Sequence, residues 1–299
     1  MSATTPAAPV ARRRPAPAAR RRGVPRGAVA AFLTYLSLVL ASAVVIVPIL
    51  AILLTSLRTG QEMTTNESPL AAPGNWLNLH NYKVAFTDGQ MLRALWNTSF
   101  ILVFSLLGTV FIGSMTAYAV DRFRFRGRRP VLAAFLVAAL VPSVTTQVAT
   151  YQVVGQLGVM NTHWAPILLY MGTDIVSIYI FLQFIRSIPT SLDEAARIDG
   201  AGSLTIYWRV ILPLLKPAIA TVVIVKGVAI YNDFYIPFLY MPGEDLGTIS
   251  TSLFRFKGPF GAHWEVVSAG AALVILPSLV VFIALQRFIY NGLTSGSTR

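Results

Sequence analysis

Hydrophobic residues in this chain fall into long runs that are separated by polar segments. Each run holds roughly 20 or more predominantly apolar residues, which is enough for a helix to cross a hydrocarbon core of about 30 Å. The pattern therefore predicts an all-α integral membrane protein. We expect six transmembrane helices, at about residues 28–57, 95–120, 130–154, 164–186, 214–240 and 266–291.

The composition agrees with this prediction and argues against an enzyme. Only 12% of the 299 residues are charged, whereas soluble domains carry about 25%. The chain has no cysteine, which excludes disulfides, thiolate catalysis and cysteine metal sites. Its three histidines, His80, His163 and His263, show no ligand spacing, and no G-x-x-x-x-G-K-[ST] loop is present to hold a nucleotide phosphate. No metal site or catalytic residue is predicted.

The net charge of +12 predicts orientation rather than nucleic-acid binding. Seven arginines precede the first span and five more lie within 122–129, whereas the loop 155–163 has no Lys or Arg. Basic residues near membrane ends mark the cytoplasmic side, so both termini are predicted to be cytoplasmic. Residues 1–27 are predicted to form a disordered basic tail that can touch anionic lipid. Residues 28–291 form the membrane domain and 292–299 a short C-terminal tail.

Two loops are predicted to lie on the extracellular side of the membrane, at about 58–94 and 241–265. The first has about 37 residues, long enough to fold as a cap or to dock an external partner.

The cytoplasmic stretch SLDEAARIDGAG is unusually polar for this chain. Ser191 and Glu194 have the spacing of a capping box, Asp193 and Arg197 that of a surface ion pair. Gly200 fits a left-handed helix terminator. These signals predict a short helix over 191–200, with a second helix from Ser203. The helix is either a capped surface connector or an element that docks into another protein, since Ala195 and Ala196 permit close approach.

The longer segment EAARIDGAGSLTIYWRVILPLLKP resembles the EAA motif of membrane subunits of binding-protein-dependent ABC importers. Val210 stands where that motif usually has Ile. The matching positions, together with Asp199 inside the motif, are predicted ATPase-coupling residues. They are Glu194, Ala195, Ala196, Asp199, Gly200, Leu212 and Pro213.

The resemblance extends along most of the chain. NLHNYKVAF, LWNTSF, FIRSIPTSLDEAARIDGA and NGLTSGSTR are similar to segments of carbohydrate importers of the maltose-permease type. It implies a type I, MetI-like permease whose EAA loop, residues 190–217, docks on a cytoplasmic ATPase. It also implies two ATPase subunits, a second homologous permease subunit, an extracellular solute-binding protein and a sugar substrate. The chain itself would bind no cofactor, because ATP and Mg²⁺ are used by the partner ATPase.

Charged residues inside spans are costly and usually face a partner or a cavity. The candidates are Asp174 in span four, with Lys226 and Asp233 in span five. Because spans four and five run in opposite directions, Asp174 is predicted to approach Lys226 or Asp233 across helices. A structural clamp and a substrate role both remain open for these charges.

The segment KGVAIYNDFYIPFLY resembles the Trp-Asn-(Asp/Glu)-Phe pattern of the same importers, with Tyr231 in place of Trp. Aromatic faces beside amides and carboxylates suit sugars, although such rings also form membrane interface belts. The predicted substrate-pathway residues are Tyr231, Asn232, Asp233, Phe234, Gln147 and Tyr151.

The sequence thus predicts a multi-pass permease subunit in a bacterial plasma membrane that imports a mono- or oligosaccharide, with an amino sugar among the candidates. The same fold importing a polyol, glycerol phosphate, amino acid or peptide is an alternative. An ion-coupled secondary transporter is an alternative of a different class, against which the EAA loop argues. No nucleic-acid partner is predicted.

Overall fold

The computed structural model describes residues 27–172, 174–258 and 261–295. Most of the predicted N-terminal tail, residues 1–26, lies outside this described part, as do residues 296–299 of the predicted C-terminal tail. The chain divides into two units, residues 1–48 and 49–299. In the first unit, the described residues form the beginning of the first helix, up to Pro48.

The described residues are almost entirely helical, apart from one two-stranded hairpin. In chain order the α-helices are α1 (Ala28–Ser56), α2 (Gly60–Thr65), α3 (His80–Thr87), α4 (Met91–Arg122), α5 (Arg128–Leu140), α6 (Ser143–Gln156), α7 (Trp164–Met171), α8 (Ile175–Ser187), α9 (Ser191–Ile198), α10 (Ser203–Ile206), α11 (Leu212–Leu214), α12 (Lys216–Asn232), α13 (Tyr235–Tyr240), α14 (Ile249–Ser252) and α15 (Trp264–Ser295).

Shorter elements connect some of these helices. A π-helical turn, Tyr207–Ile211, joins α10 to α11. Two 3₁₀ turns, Glu244–Leu246 and Leu253–Phe256, flank α14. The strands β1 (Lys257–Gly258) and β2 (Gly261–Ala262) pair antiparallel, with Lys257 opposite Ala262.

Membrane-spanning helices are present, but three of the predicted spans are broken. Among the described residues, α1 and α4 are each long and apolar enough to cross a membrane alone. Three bent pairs would each make one further span: α5 with α6 at 105°, α7 with α8 at 44°, and the α10–α11 segment with α12 at 72°. The predicted sixth span corresponds to α15, which is apolar from Trp264 to Val280.

Proline explains two of the breaks, which the hydropathy pattern did not reveal. Val141 precedes Pro142 and is extended, with ψ 118°, because a residue before proline is pushed out of the helical region. Pro217 lies in the first turn of α12 and cannot donate a helical hydrogen bond, so the helix restarts at Lys216 after Leu215. The prediction of uninterrupted spans at 130–154 and 164–186 was wrong in detail. The predicted span 214–240 begins at the break beside Leu215 and is interrupted instead between α12 and α13.

The largest apolar core joins α4 to α8 and to the segment α10–α12. Close approach of α4 and α8 depends on Gly113, where a Cβ would lie 3.2 Å from the Phe181 ring. Phe181, Ile206 and Tyr207 are buried in this core. The core therefore fixes the segment after α9 against the C-terminal half of α4.

At the other end of α4, the loop predicted to lie outside folds into α2 and α3. A small core of Ala85, Val266 and Ala269 packs α3 against α15. Asn81 is buried and donates to the carbonyls of Ser56 and Arg58, at 2.8 and 2.7 Å. The loop is thus a structured element, as its length predicted.

Candidate functional site: the α9 segment and the polar residues of the spans

The predicted helix in SLDEAARIDGAG exists as α9, but its N-terminus differs from the prediction. Thr190 already has helical angles, φ −65° and ψ −21°, and its carbonyl accepts from Glu194 N at 3.1 Å. Ser191 is therefore inside the helix and cannot take the extended conformation that a capping side chain needs. The capping-box prediction for Ser191 and Glu194 was wrong.

The C-terminus of α9 follows the prediction. Gly200 has φ +81°, a left-handed conformation that glycine adopts without strain. The Gly200 amide donates to Arg197 O and the Ala201 amide to Ala196 O, both at 2.9 Å, which satisfies carbonyls of the last turn. Asp199 is exposed at the end of the helix. The next helix, α10, begins at Ser203 as predicted.

Asp193 does not form the predicted surface pair with Arg197. Its side chain is buried, and its Oδ2 lies 2.9 Å from Arg122 Nε at the end of α4. Arg197 is exposed. The prediction failed because α9 turns this face against α4, where the carboxylate meets a cation that is distant in sequence.

The opposite face of α9 is open. Glu194 and Ala195 are exposed, and Glu194 has no side-chain partner among the described residues. Ile198 is 87% exposed. Ala196 is half-buried and packs on the core beneath. The face therefore offers a free carboxylate, a small side chain and an apolar side chain to a partner.

The remaining residues of the motif lie under or beside α9. Leu212 is partly buried against the core that joins α4 and α8, and Pro213 is exposed in α11. Val210 also packs on this core, so the Val found where the motif usually has Ile keeps an apolar contact.

A cluster of charges lies beneath α9. Asp121 and Arg122 form an ion pair at 2.9 Å, with side chains 10% and 7% exposed. Arg128 and Arg186 approach Asp121 at 3.5 and 3.6 Å. In the sequence, Arg122 and Arg128 indicate only the orientation in the membrane. The signal that could have predicted this ion-pair cluster is Asp121, an acidic residue at the end of an apolar run beside several arginines.

Within the spans, the predicted approach of Asp174 to Lys226 is confirmed. Lys226 Nζ lies 3.0 Å from Asp174 Oδ1, with side chains 23% and 11% exposed. Asp174 follows the break between α7 and α8, where it also accepts a hydrogen bond from Ser177 Oγ. The pair ties this break to α12.

Asp233 holds the break between α12 and α13. Its Oδ1 accepts from the Tyr235 amide at 2.8 Å, and its Oδ2 accepts from Tyr170 Oη at 2.8 Å. Its carbonyl accepts from Ser250 Oγ at 2.6 Å. Both carboxylate oxygens are thus engaged inside the protein. Tyr170, which fixes this arrangement from α7, carried no sequence signal.

The other predicted pathway residues divide into two groups. Tyr231 donates to Val274 O at 2.8 Å, and the Phe234 ring stacks on Phe238 at 5.0 Å, so both contribute to helix packing. Asn232 is exposed beside them, with its amide donating to Val228 O at 2.8 Å.

Two predicted residues come from α6. Gln147 accepts a hydrogen bond from Tyr235 Oη. The ring of Tyr151 lies 5.8 Å from that of Tyr240, and Tyr151 is 44% exposed. The structure thus brings Gln147 and Tyr151 of α6 to α13, which follows Asn232 directly.

A cleft of about 640 Å³ opens between the two loops at the opposite end of α4 from α9. Its polar lining includes Asn78, His80, Asp88, His263 and Glu265. His263 Nδ1 lies 3.3 Å from Glu265 Oε1. Within the described ranges, no cluster of three or more His, Asp or Glu is arranged to hold a metal ion.

Comparison with known proteins gives the family. Residues 109–294 match the model for the binding-protein-dependent transport system inner membrane component. The chain is 32% identical over 225 residues to the melibiose/raffinose/stachyose import permease protein MelC of Bacillus subtilis, covering 75% of this chain and 82% of the relative. It is also 32% identical to the galactooligosaccharides transport system permease protein GanQ of Bacillus subtilis, covering 89% and 94%.

Another relative is the maltose/maltodextrin transport system permease protein MalG of Escherichia coli, 29% identical with coverage of 90% and 95%. Among solved structures, a bacterial ABC transporter involved in the import of the acidic polysaccharide alginate superposes with a TM-score of 0.74 at 22% identity. The match covers 87% of this chain and 96% of that one, which shows the shared fold. These comparisons establish that the chain belongs to the family of inner membrane components of binding-protein-dependent transport systems, as a transport subunit and not an enzyme.

Proposed function

We propose that this chain is the membrane-spanning permease subunit of an ATP-driven importer in a bacterial cell membrane, and that its cargo is a sugar, namely an oligosaccharide. The observation that carries the proposal is α9, a short exposed helix anchored through buried Asp193 to the end of α4. A short helix presented in this way suits docking into a groove of another protein. The relatives named as permeases for oligosaccharides support a sugar as cargo.

Energy comes from partner subunits in this proposal, because the sequence lacks a G-x-x-x-x-G-K-[ST] phosphate loop. Two cytoplasmic ATPase subunits hydrolyse ATP with Mg²⁺, one docked on α9 and one on a second, homologous permease subunit. The exposed Glu194 carboxylate meets a cation of the ATPase, and Ile198 fills an apolar pocket. Ala195 permits close approach, while Asp199 and Gly200 end the helix at the docking face.

Leu212 and Pro213 act below the docking face. Both lie in the bent segment between α10 and α12. Leu212 is partly buried on the core that α9 also touches, and Pro213 is exposed beside it. A rigid-body displacement of α9 is therefore transmitted to α12 through this segment.

An extracellular solute-binding protein delivers the cargo to the end of the molecule opposite α9. The loops 58–94 and 241–265, which border the cleft of about 640 Å³, form its docking surface. The family description supports such a partner, because these inner membrane components depend on a binding protein.

The substrate pathway in this proposal passes along Asn232, Gln147 and Tyr151. The first and last of these are exposed, and all three carry groups that can meet sugar hydroxyls. Tyr231, Asp233 and Phe234 shape the pathway indirectly, since their polar atoms or rings are engaged within the protein. The Asp174–Lys226 pair acts as a clamp between helices.

Co-purification tests the ATPase partnership. We compare the tagged wild type with Ile198→Asp, which places a charge on the docking face without removing an internal contact, since Ile198 is 87% exposed. The matched control is Leu77→Asp, at a side chain 84% exposed in the loop before α3. The proposal expects an ATPase and a second permease with the wild type and the control. Ile198→Asp should lose the ATPase and keep the second permease.

Uptake into cells tests the cargo. Radiolabelled raffinose and maltotriose are offered in competition with unlabelled arabinotriose, glycerol phosphate and an amino acid. Competition by oligosaccharides alone supports the proposal. If only non-sugar solutes compete, the assignment of a sugar as cargo is wrong. If the wild type binds no ATPase and transports in vesicles without ATP, ATP-driven import is refuted.

A further inference from the structure

Arg122 joins three elements through one guanidinium group. Its Nε lies 2.9 Å from Asp193 Oδ2 in α9, and its Nη1 donates to Asp121 Oδ2 at 2.9 Å in α4. Its Nη2 donates to the carbonyls of Ile188 and Ile185, at 2.8 and 3.3 Å, where α8 ends. Arginine suits such a joint because its planar group carries five donors in fixed directions.

The carboxylate of Asp193 depends on this contact. Its side chain is 5% exposed, and Asp193 is the buried residue of α9. Neither carboxylate oxygen receives a hydrogen bond of good geometry, so the ion pair with Arg122 is its one polar contact in the described part of the chain. A buried charge that loses its partner is strongly unfavourable. Arg122 therefore fixes the position of α9.

Two further side chains on the same face of α4 hold the segment after α9. Ser114 Oγ and Tyr207 Oη are hydrogen-bonded at 2.8 Å, and Tyr118 Oη lies 3.5 Å from Ser203 O. Ser114, Tyr118 and Arg122 are spaced by four residues, so they form one stripe along the helix. Each touches a different part of the α9–α10–π-helical segment.

α4 is also the element best suited to carry a displacement onwards. Its 32 residues form one unbroken helix about 48 Å long. At the far end, the Asn97 side-chain amide donates to Asp245 O and Gly247 O, both at 3.0 Å. Thr98 Oγ1 accepts from the Ile249 amide at 2.9 Å. Both ends of α4 are thus tied to loops by polar contacts.

We propose that Arg122 is the positioning residue through which displacement of α9 moves α4 and α8. This inference rests on the proposed function as an ATP-driven permease. When Arg122 is absent, the docking face with Glu194 and Ile198 is still present, because neither side chain contacts Arg122. The ATPase then binds and hydrolyses ATP, but α9 moves without displacing α4 and α8.

The test measures sugar transported per ATP hydrolysed. The complete complex, with ATPase, second permease and binding protein, is reconstituted in vesicles with the oligosaccharide that the wild type imports. Arg122→Gln should retain the ATPase and lower the transport ratio about tenfold or more, within the usual range of coupling between sites. Arg126→Gln, at an exposed arginine four residues later, is the matched control and keeps the wild-type ratio.

A second variant guards against a folding defect. The chain has no cysteine, so Arg122→Cys with Asp193→Cys gives the only two thiols of this chain and removes both buried charges together. We expect a low ratio without cross-linker and recovery once a short bis-methanethiosulfonate reagent joins α9 to α4. A merely structural role does not give recovery that depends on the linker.

The outcomes separate this inference from the proposed function. An unchanged ratio in Arg122→Gln, or a cysteine pair whose ratio ignores the linker, overturns the role of Arg122 while ATP-driven import stands. A wild-type complex that transports without ATP refutes the proposed function itself.

Discussion

Lys226 Nζ lies 3.0 Å from Asp174 Oδ1, an ion pair that connects α12 to the break before α8. We predict that Lys226→Met lowers the free energy of unfolding by about 3 kcal/mol, because removing one partner leaves a largely buried carboxylate without its cation. Thermal unfolding in detergent, followed by the loss of monodisperse protein, measures the change.

The control variants for this pair follow from the same argument. Lys226→Met with Asp174→Asn should recover most of the lost stability, since no unpaired charge remains. Lys216→Met, at an exposed lysine of the same helix, should have little effect. A double variant no more stable than Lys226→Met alone would contradict the clamp.

Arg58 is 1% exposed and holds the loop between α1 and α3. It donates to the carbonyls of Ser68 at 3.0 Å, Glu62 at 2.5 Å and Asn66. Arg58→Met should raise the rate of proteinase K cleavage within this loop at least about tenfold, because each hydrogen bond to a charged group is worth about 1.5–3 kcal/mol. Cleavage is followed by mass spectrometry.

Two variants sharpen this prediction. Arg58→Lys should be intermediate, since one ammonium cannot reproduce the spread of the guanidinium nitrogens. Lys83→Met, at an exposed residue of α3, should cleave at the wild-type rate. Equal cleavage of all variants would show that the loop is held by other contacts.

The positions of the spans could be predicted because hydropathy depends only on local sequence. α1 and α4 match the predicted first two spans closely, and α4 begins four residues before the predicted 95. The break before Pro142 was missed because hydropathy does not register the backbone effect of proline. The breaks also decide where Asp174 and Asp233 lie, so the roles of these residues required the structure.

The α9 segment shows the same limit at the level of side chains. Spacing predicted a short helix and the terminating role of Gly200, both of which depend on neighbouring residues. It assigned Asp193 to the wrong partner, because Arg122 is distant in sequence and only packing brings it within 2.9 Å. The Asp174–Lys226 contact could be predicted from the sequence, because charged residues inside the membrane have few possible partners.

Gly108 of α4 permits the close approach of α7. A Cβ at this position would lie 2.7 Å from Met171 Cβ and 3.0 Å from its Sδ. We expect Gly108→Ala to lower the free energy of unfolding by about 1–3 kcal/mol, the usual cost of overpacking. Gly227→Ala is the matched control, because a Cβ there would meet only Leu106 Cδ1, at 3.8 Å. It should be neutral or gain up to about 1 kcal/mol from helix propensity, and a similar loss in both would argue against a steric cause.

His163 lies in the loop before α7, where it contacts α4. The Asn97 side-chain amide donates to the carbonyls of Asp245 and Gly247, so its Oδ1 is free to accept. His163 Nε2 lies 2.9 Å from this oxygen and donates to it. Burial lowers the pKa of His163 below the usual imidazole value because the charged ring is disfavoured.

Since the pKa of His163 is lower in the folded than in the unfolded chain, its contribution to stability is complete above the unfolded pKa of about 6.5 and is lost as pH falls towards the folded pKa. We therefore predict that stability declines between about pH 7.5 and pH 5. His163→Gln keeps an N–H donor and removes the titration, so it should flatten this slope. Thermal unfolding at several pH values measures the slopes of the wild type and His163→Gln, and equal slopes would assign the decline to other groups.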